Sequence, residues 1–152
     1  MNIITKDITT VSSPAIIIHG VNCQRTMQSG VAKALYTKWP HVKDSYMSFA
    51  KEDMKLGMTS SVQVRNKLYV MNCWTQQEYG YDQGIYADSH AIKECLESTA
   101  VFCAESNIRQ IYSPRMGCGL GGLNWENDVQ PILVKFERYY PNINITICDL
   151  NK

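Results

Sequence analysis

The chain has 152 residues, 45% of them hydrophobic and 19% charged, with a formal net charge of +1. That length and apolar fraction suit one domain with a real core, and the near-neutral charge gives no electrostatic support for a nucleic-acid polyanion. No apolar run is long enough to span a membrane and the start carries no signal-peptide pattern. The expectation is a cytoplasmic monomer whose partner is a small molecule.

The first strand is expected at Asn2–Thr5, followed by Lys6-Asp7-Ile8-Thr9. Asp7 admits two readings. It can cap a turn, or it can accept a hydrogen bond from an adenine amino group while the Ile8 N–H donates to a ring nitrogen. A second strand, Ala15–His19, opens with the apolar run AIII, the pattern of a strand covered on both faces. It leads into HGVNCQRTMQSGVAKAL, from His19 to Leu35. Here a polar loop follows the strand, and Ser29-Gly30-Val31-Ala32 starts a helix that stops at Trp39, before Pro40.

A second helix is expected over Asp44–Met54. Strands Ser61–Val64 and Lys67–Asn72 form a hairpin with Asn66 in its turn. From Thr75 to Tyr86 the chain is polar, with Tyr79, Tyr81 and Tyr86 among Gly80, Asp82, Gln83 and Gly84. This stretch reads as a functional lid or as a merely disordered loop. Ser89–Ser106 has helical periodicity, with Ile92, Cys95, Leu96, Thr99, Phe102 and Cys103 on one face. Strands Gln110–Ser113 and Asn144–Cys148 flank a last helix over Trp125–Tyr140. Asn124 is its N-cap, Pro141 ends it, and Pro131 delays its start or kinks it. Strands alternate with helices, so the expected fold is α/β, a three-layer α/β/α domain around a central mixed sheet.

The six cysteines (Cys23, Cys73, Cys95, Cys103, Cys118, Cys148) form no C-x-x-C pair. They read as reduced, mostly buried thiols. The histidines His19, His41 and His90 have no ligand spacing with them, so neither a metal nor a cofactor is expected.

The stretch Pro114–Trp125, PRMGCGLGGLNW, holds Gly117, Gly119, Gly121 and Gly122 within six positions. Glycine admits φ > 0 and close approach of a ligand to the backbone. A glycine-rich turn before a helix presents N–H groups suited to phosphate. The run fits G-x-G-x-x-G, but a dinucleotide fingerprint opens a βαβ unit and has an acidic residue about 20 positions on. Here only one helix and one strand follow, and Asp149 stands almost at the end of the chain. A P-loop is excluded, because G-x-x-x-x-G-K-[ST] is absent. Both this loop and the His19–Ala32 loop leave strands at their C-terminal ends, where open α/β sheets bind ligands.

Taken together, Asp7-Ile8-Thr9 after the first strand, the His19–Ala32 loop and the Pro114–Trp125 loop resemble a macro domain, the ADP-ribose-binding fold, over nearly the whole chain. The resemblance is specific to the branch of terminal ADP-ribose protein glycohydrolases and small ADP-ribose 1''-phosphate phosphatases. His19, Asn22, Met27, Gly30, Val31 and Ala32 match its first motif. Pro114 to Leu120, Leu123 and Trp125 match its second.

The resemblance implies that Asp7 and Ile8 bind adenine. It implies that Asn22 holds the distal ribose hydroxyls. Met27, Gln28, Ser29, Gly30, Val31 and Ala32 would contact the distal ribose and a phosphate. Arg115, Met116, Gly117, Cys118, Gly119, Leu120, Gly121 and Gly122 would wrap the pyrophosphate and the distal ribose. Trp125 packs under the loop or stacks on the base.

Two departures stand out. Glycohydrolases of the branch use a lysine near the start of the long loop, and Asn72–Asp82 contains none; the next is Lys93. They also carry an aspartate after Gly-Cys-Gly-Leu, where this chain has Gly121. The resemblance therefore implies a metal-independent hydrolase of ADP-ribose 1''-phosphate, giving ADP-ribose and phosphate. The alternatives are a non-catalytic ADP-ribose reader and a de-ADP-ribosylase for modified macromolecules, working through substrate hydroxyls and bound water. Backbone N–H groups would stabilise developing charge. Asn22 is the candidate to position a water and His19 the candidate base, although a strand-end histidine can also be structural. Asp88 and His90 are further candidates to reach in from the lid, with Asp88 equally suited to cap the following helix.

Overall fold

The computed structural model describes residues 1–28 and 30–150. Six strands form one sheet: β1 (Asn2–Thr5), β2 (Ala15–Asn22), β3 (Thr59–Arg65), β4 (Leu68–Gln76), β5 (Gln110–Ser113) and β6 (Asn144–Asp149). Their order is β1-β6-β5-β2-β4-β3. Every pairing is parallel except the β3–β4 hairpin, whose turn holds Lys67 at φ 57°.

Side-chain alternation splits the core into two layers. On β2, Ala15 and Ile17 face one side with Leu68 and Val70 of β4, under Leu35 and Val42 of helices α1 (Gly30–Lys38) and α2 (His41–Met47). Ile16, Ile18, Met71 and Cys73 face the other side. They pack under Ile92, Leu96 and Cys103 of α3 (Ser89–Ser106) and Leu133 and Phe136 of α4 (Gln130–Tyr139). The architecture is the expected three-layer α/β/α with a mixed sheet.

Several element bounds differ from the sequence reading, and four of them, in β2, β4 and the second and last helices, have a local reason. Strands β2 and β4 run on to Asn22 and Gln76, because their ladder continues through His19↔Asn72, Gly20↔Cys73 and Val21↔Trp74. Polar residues there stay in the sheet, so the long loop starts after Gln76. The second helix spans His41–Met47 instead of Asp44–Met54, with only a 3-10 turn at Lys51–Asp53 beyond it. Arg25 receives the end of this helix: its Nε and Nη2 donate to the carbonyls of Phe49 (3.0 Å) and Met47 (2.8 Å), groups a helix terminus leaves orphaned. The last helix starts late. A π turn at Trp125–Val129, capped by Asn124 Oδ1 accepting from Asn127 N, comes first and places Pro131 in the opening turn of α4. All six cysteines are free thiols and all but Cys118 are buried.

Candidate functional site

A cleft of about 620 Å³ runs across the C-terminal ends of β6, β5, β2 and β4, a volume within the range of small-molecule sites. Its floor is the end of β2. Gly20 is needed there: a Cβ would come within 2.5 Å of Thr75 Oγ1 and 3.4 Å of Met116. Two loops and a strap form the walls.

The first wall is the β2–α1 loop, which polar side chains hold in shape. Asn22 Oδ1 accepts from Gln24 N (2.9 Å) and from the Tyr46 hydroxyl (2.9 Å), and its Nδ2 donates to Thr26 O (2.8 Å). Burial pushes the Tyr46 hydroxyl up to about 12, so it stays a donor. Asn22 lines the cleft and braces the loop through these bonds, with the single Tyr46 hydroxyl proton shared between its Oδ1 and its backbone O (2.8 Å). Met27, Gln28, Gly30, Val31 and Ala32 line the same wall; Ser29 lies outside the described residues.

The second wall is the β5–α4 loop, and here the backbone holds itself. Cys118 N donates to Arg115 O (3.1 Å), Gly122 N to Gly119 O (3.1 Å) and Leu123 N to Gly117 O (2.9 Å). Arg115, Met116, Gly117, Cys118, Gly119, Leu120 and Gly121 line the cleft. Gly122 does not. It sits at φ +82°, and a Cβ there would collide with the Gly84 carbonyl. Gly121 lines the cleft without room for a side chain: a Cβ would lie 2.7 Å from Gly117 O and 2.8 Å from the Ala87 Cβ. Burial pushes the Cys118 thiol up to about 11, which keeps it protonated and unsuited to nucleophilic attack at neutral pH.

Residues 77–86 form the strap between the walls. Its base is closed by a Gln76↔Ala87 bridge. On one side Cys23 N donates to Gln76 O (2.9 Å) and Gln24 Nε2 to Gln77 O (2.9 Å). On the other, Tyr86 N and Ala87 N both donate to Gly121 O (2.8 and 2.9 Å). Tyr79, Gly80 and Tyr81 reach the cleft, so the lid reading of this loop describes its placement.

At the β6 end, Arg115 Nε donates to Asp149 Oδ2 (2.8 Å), and the guanidinium carbon lies 5.1 Å from the centre of the Trp125 ring. Trp125 is buried and packs under the loop. Asp149 is the sole carboxylate among the described lining residues, which include no lysine. Its position opposite Arg115 went unread in the sequence. The signal was available only through topology, since Asp149 ends the strand next to β5.

His19 is 1% exposed at the root of the cleft. Its Nε2 lies 2.6 Å from Asn72 Oδ1, while Asn72 Nδ2 donates to Val42 O (3.2 Å) and Ser60 Oγ (3.3 Å). That network turns the amide oxygen toward the ring, so Nε2 carries the proton. Desolvation depresses the imidazole pKa to about 4, with only partial opposition from the Asn72 hydrogen bond. His19 is therefore buried and neutral, the state of a structural strand-end histidine, with its Nδ1 left without a hydrogen-bond partner among the described residues.

Other candidates lie elsewhere. Asp88 caps α3, accepting from Ala91 N (2.9 Å), and His90 is exposed beside Glu94 at 3.7 Å. Asp7 and Ile8 are not among the cleft walls. Asp7 Oδ1 accepts from Thr9 N (2.9 Å) and Thr9 Oγ1 (2.8 Å), bonds that hold its carboxyl below the usual range, and Ile8 is buried in the α1 and α2 layer. The turn-cap reading of Asp7 describes what its carboxylate does.

Comparison with known proteins places this cleft in context. The family model described as "Macro domain" matches residues 18–132. An uncharacterised 17.5 kDa protein of the tk–vs intergenic region of Enterobacteria phage T4 is 31% identical over 139 residues, covering 88% of this chain and 84% of that protein. A crystal structure of a Bacteroides thetaiotaomicron protein is 29% identical with a TM-score of 0.87, covering 99% of each chain. A Trypanosoma brucei macrodomain, solved in complex with ADP-ribose, shares the fold at 15% identity and a TM-score of 0.69, over 96% of this chain and 62% of that one.

Proposed function

This chain belongs to the macro domain family, and on that premise we propose that its cleft binds ADP-ribose and hydrolyses ADP-ribose 1''-phosphate to ADP-ribose and inorganic phosphate. The cleft edge from β6 to β4 crosses three inter-strand steps, about 14 Å, which suits an elongated sugar nucleotide. The adenine lies toward β6, near Asp149 and the neighbouring Asp7 turn. The diphosphate runs along the β5–α4 loop beside Arg115, and the terminal phosphate lies between the two loops near the strap.

One observation carries the choice of reaction: among the described lining residues the cleft offers loops, an arginine and hydroxyls, with no lysine, one carboxylate that is paired to Arg115, and one histidine that is buried and neutral. Glycosidic cleavage relies on an acid and base pair. Hydrolysis of a phosphomonoester depends mainly on positioning and charge stabilisation, with little covalent work for the protein. In the proposed step a water oxygen forms a bond to phosphorus. The bond from phosphorus to the anomeric oxygen breaks, and that oxygen takes up the proton that the attacking water gives up, leaving as the hemiacetal hydroxyl of ADP-ribose with hydrogen phosphate as the other product.

The neutral, buried His19 favours a second reading, a non-catalytic reader using the same cleft. Incubation with ADP-ribose 1''-phosphate separates the two when phosphate release is followed alongside calorimetry with ADP-ribose. The hydrolase releases phosphate above background and binds its product. Tight ADP-ribose binding with no phosphate release would establish the reader. A Cβ at Gly119 meets nothing within 4 Å, so Gly119→Glu introduces a charged side chain on the cleft wall without a clash. The expected outcome is loss of both release and binding with the melting temperature nearly unchanged.

A further inference from the structure

The strap tip carries two tyrosines that no part of the proposed reaction has used. Tyr79 and Tyr81 both reach the cleft, 40% and 58% exposed, with ring centroids 6.3 Å apart in an edge-to-face pair. Gly80 between them holds its backbone against the Tyr86 ring, where a Cβ would collide with the phenol. Tyr86 is fixed in turn by donating its hydroxyl to Asp82 Oδ1, which also accepts from Gly84 N (3.0 Å). The turn that splays the two tyrosines is thus braced from inside. It is also laced to both loop walls, through Cys23 and Gln24 on one side and Gly121 on the other.

Strand order sets which end of a ligand meets this tip. The strap leaves β4, which lies three strands from β6, and the Arg115–Asp149 pair marks the β6 end. A ligand with its base at β6 therefore brings its distal sugar and terminal group beneath Tyr79 and Tyr81. Neither a lysine nor a second arginine is among the described residues lining the cleft. Phenolic O–H groups are good donors to phosphate oxygens, and a hydrogen bond to a charged acceptor is stronger than one to a neutral one.

Resting on the proposed function, we infer that Tyr79 and Tyr81 are specificity-determining residues that recognise the terminal phosphate through their hydroxyls, so that the cleft prefers the phosphorylated ligand to ADP-ribose. Calorimetry with ADP-ribose 1''-phosphate and with ADP-ribose tests this on wild type and on the double variant Tyr79→Phe/Tyr81→Phe, which keeps both rings. The double variant should lose about tenfold in affinity for the phosphorylated ligand and stay within about twofold for ADP-ribose. If wild type binds both ligands and the ratio of affinities is the same in the variant, the strap's role is overturned and the function stands. If wild type binds neither ligand, the cleft reading falls and takes the strap's role with it.

Discussion

The two loops that face each other across the cleft are held by opposite means. The β2–α1 loop is tied by side chains: Asn22 to Gln24, Tyr46 and Thr26, Gln24 to Gln77, and Arg25 to Met47 and Phe49. The β5–α4 loop is tied by main-chain bonds from Cys118, Gly122 and Leu123, with Gly117 and Gly122 at φ +79° and +82°. A loop of the first kind weakens by degrees, because each side chain carries a separable share. A loop of the second kind depends on the absence of side chains. One added Cβ in the wrong place displaces backbone, and an adjacent glycine with open space tolerates the same change.

The largest effect should come from the second loop. Gly122→Ala places a Cβ against the Gly84 carbonyl and 3.0 Å from the Ile85 Cα, at a positive φ. The expected loss is about 3 kcal/mol or more. Gly121→Asp should be comparably damaging, because a Cβ there would lie 2.7 Å from Gly117 O. Gly119→Ala should change stability by no more than about 0.5 kcal/mol. Urea unfolding of the three variants checks this. Equal losses at positions 119 and 122 would break the contrast between the loops.

The root of the first loop should respond to acid. His19 titrates at about 4 in the fold against 6.5 as a free side chain, so between these values the unfolded chain binds a proton that the native state refuses. Stability then rises with pH across that window: the contribution is complete above about pH 6.5 and is lost as pH falls toward about pH 4. The full loss is on the order of 3 kcal/mol. Denaturant midpoints at about pH 7 and about pH 4.5 should differ clearly in wild type and much less in His19→Gln. An equal difference in both would place the acid sensitivity elsewhere.

A smaller, graded loss is expected from Asn22→Ala, which removes the partners of Gln24 N, the Tyr46 hydroxyl and Thr26 O. Tyr46 also donates to Asn22 O (2.8 Å), a backbone bond the substitution keeps. The cost should be about 2 kcal/mol, and thermal unfolding measures it. A loss as large as that of Gly122→Ala would mean that the first loop is also all-or-none.

This asymmetry also explains what could be read in the sequence. The continuous apolar run that opens β2, the period of α3 and the Asn124 cap are local signals, and the structure contains all three. The glycines of the second loop announce themselves by type, since few other pressures collect four of them in six positions. Which of them face a ligand does not follow from type. Gly122 and Gly119 look alike in sequence, and only the strap, folded back onto Gly121, tells them apart. The roles of Asn22 and His19 depend on Tyr46 and Asn72, which are 24 and 53 residues distant. A polar residue at a strand end carries no mark saying whether its partner is a ligand or the protein.

The smallest expected effect sharpens the contrast at its boundary, because the Arg115 side chain ties the second loop to the end of β6 through an ion pair with Asp149. Its ion pair with Asp149 is partly exposed, at 34% and 21% for the two side chains, so solvent screens most of the Coulomb term. The cation stays over the Trp125 ring at 5.1 Å when the carboxylate is neutralised, and that contact is itself worth several tenths of a kcal/mol or more. Asp149→Asn should therefore cost no more than about 1 kcal/mol, read as a small fall in the denaturant midpoint with an unchanged slope. A loss approaching that of Gly122→Ala would show that the second loop needs this side-chain tie as much as its backbone bonds. The division between the two walls of the cleft would then have to be redrawn at Arg115.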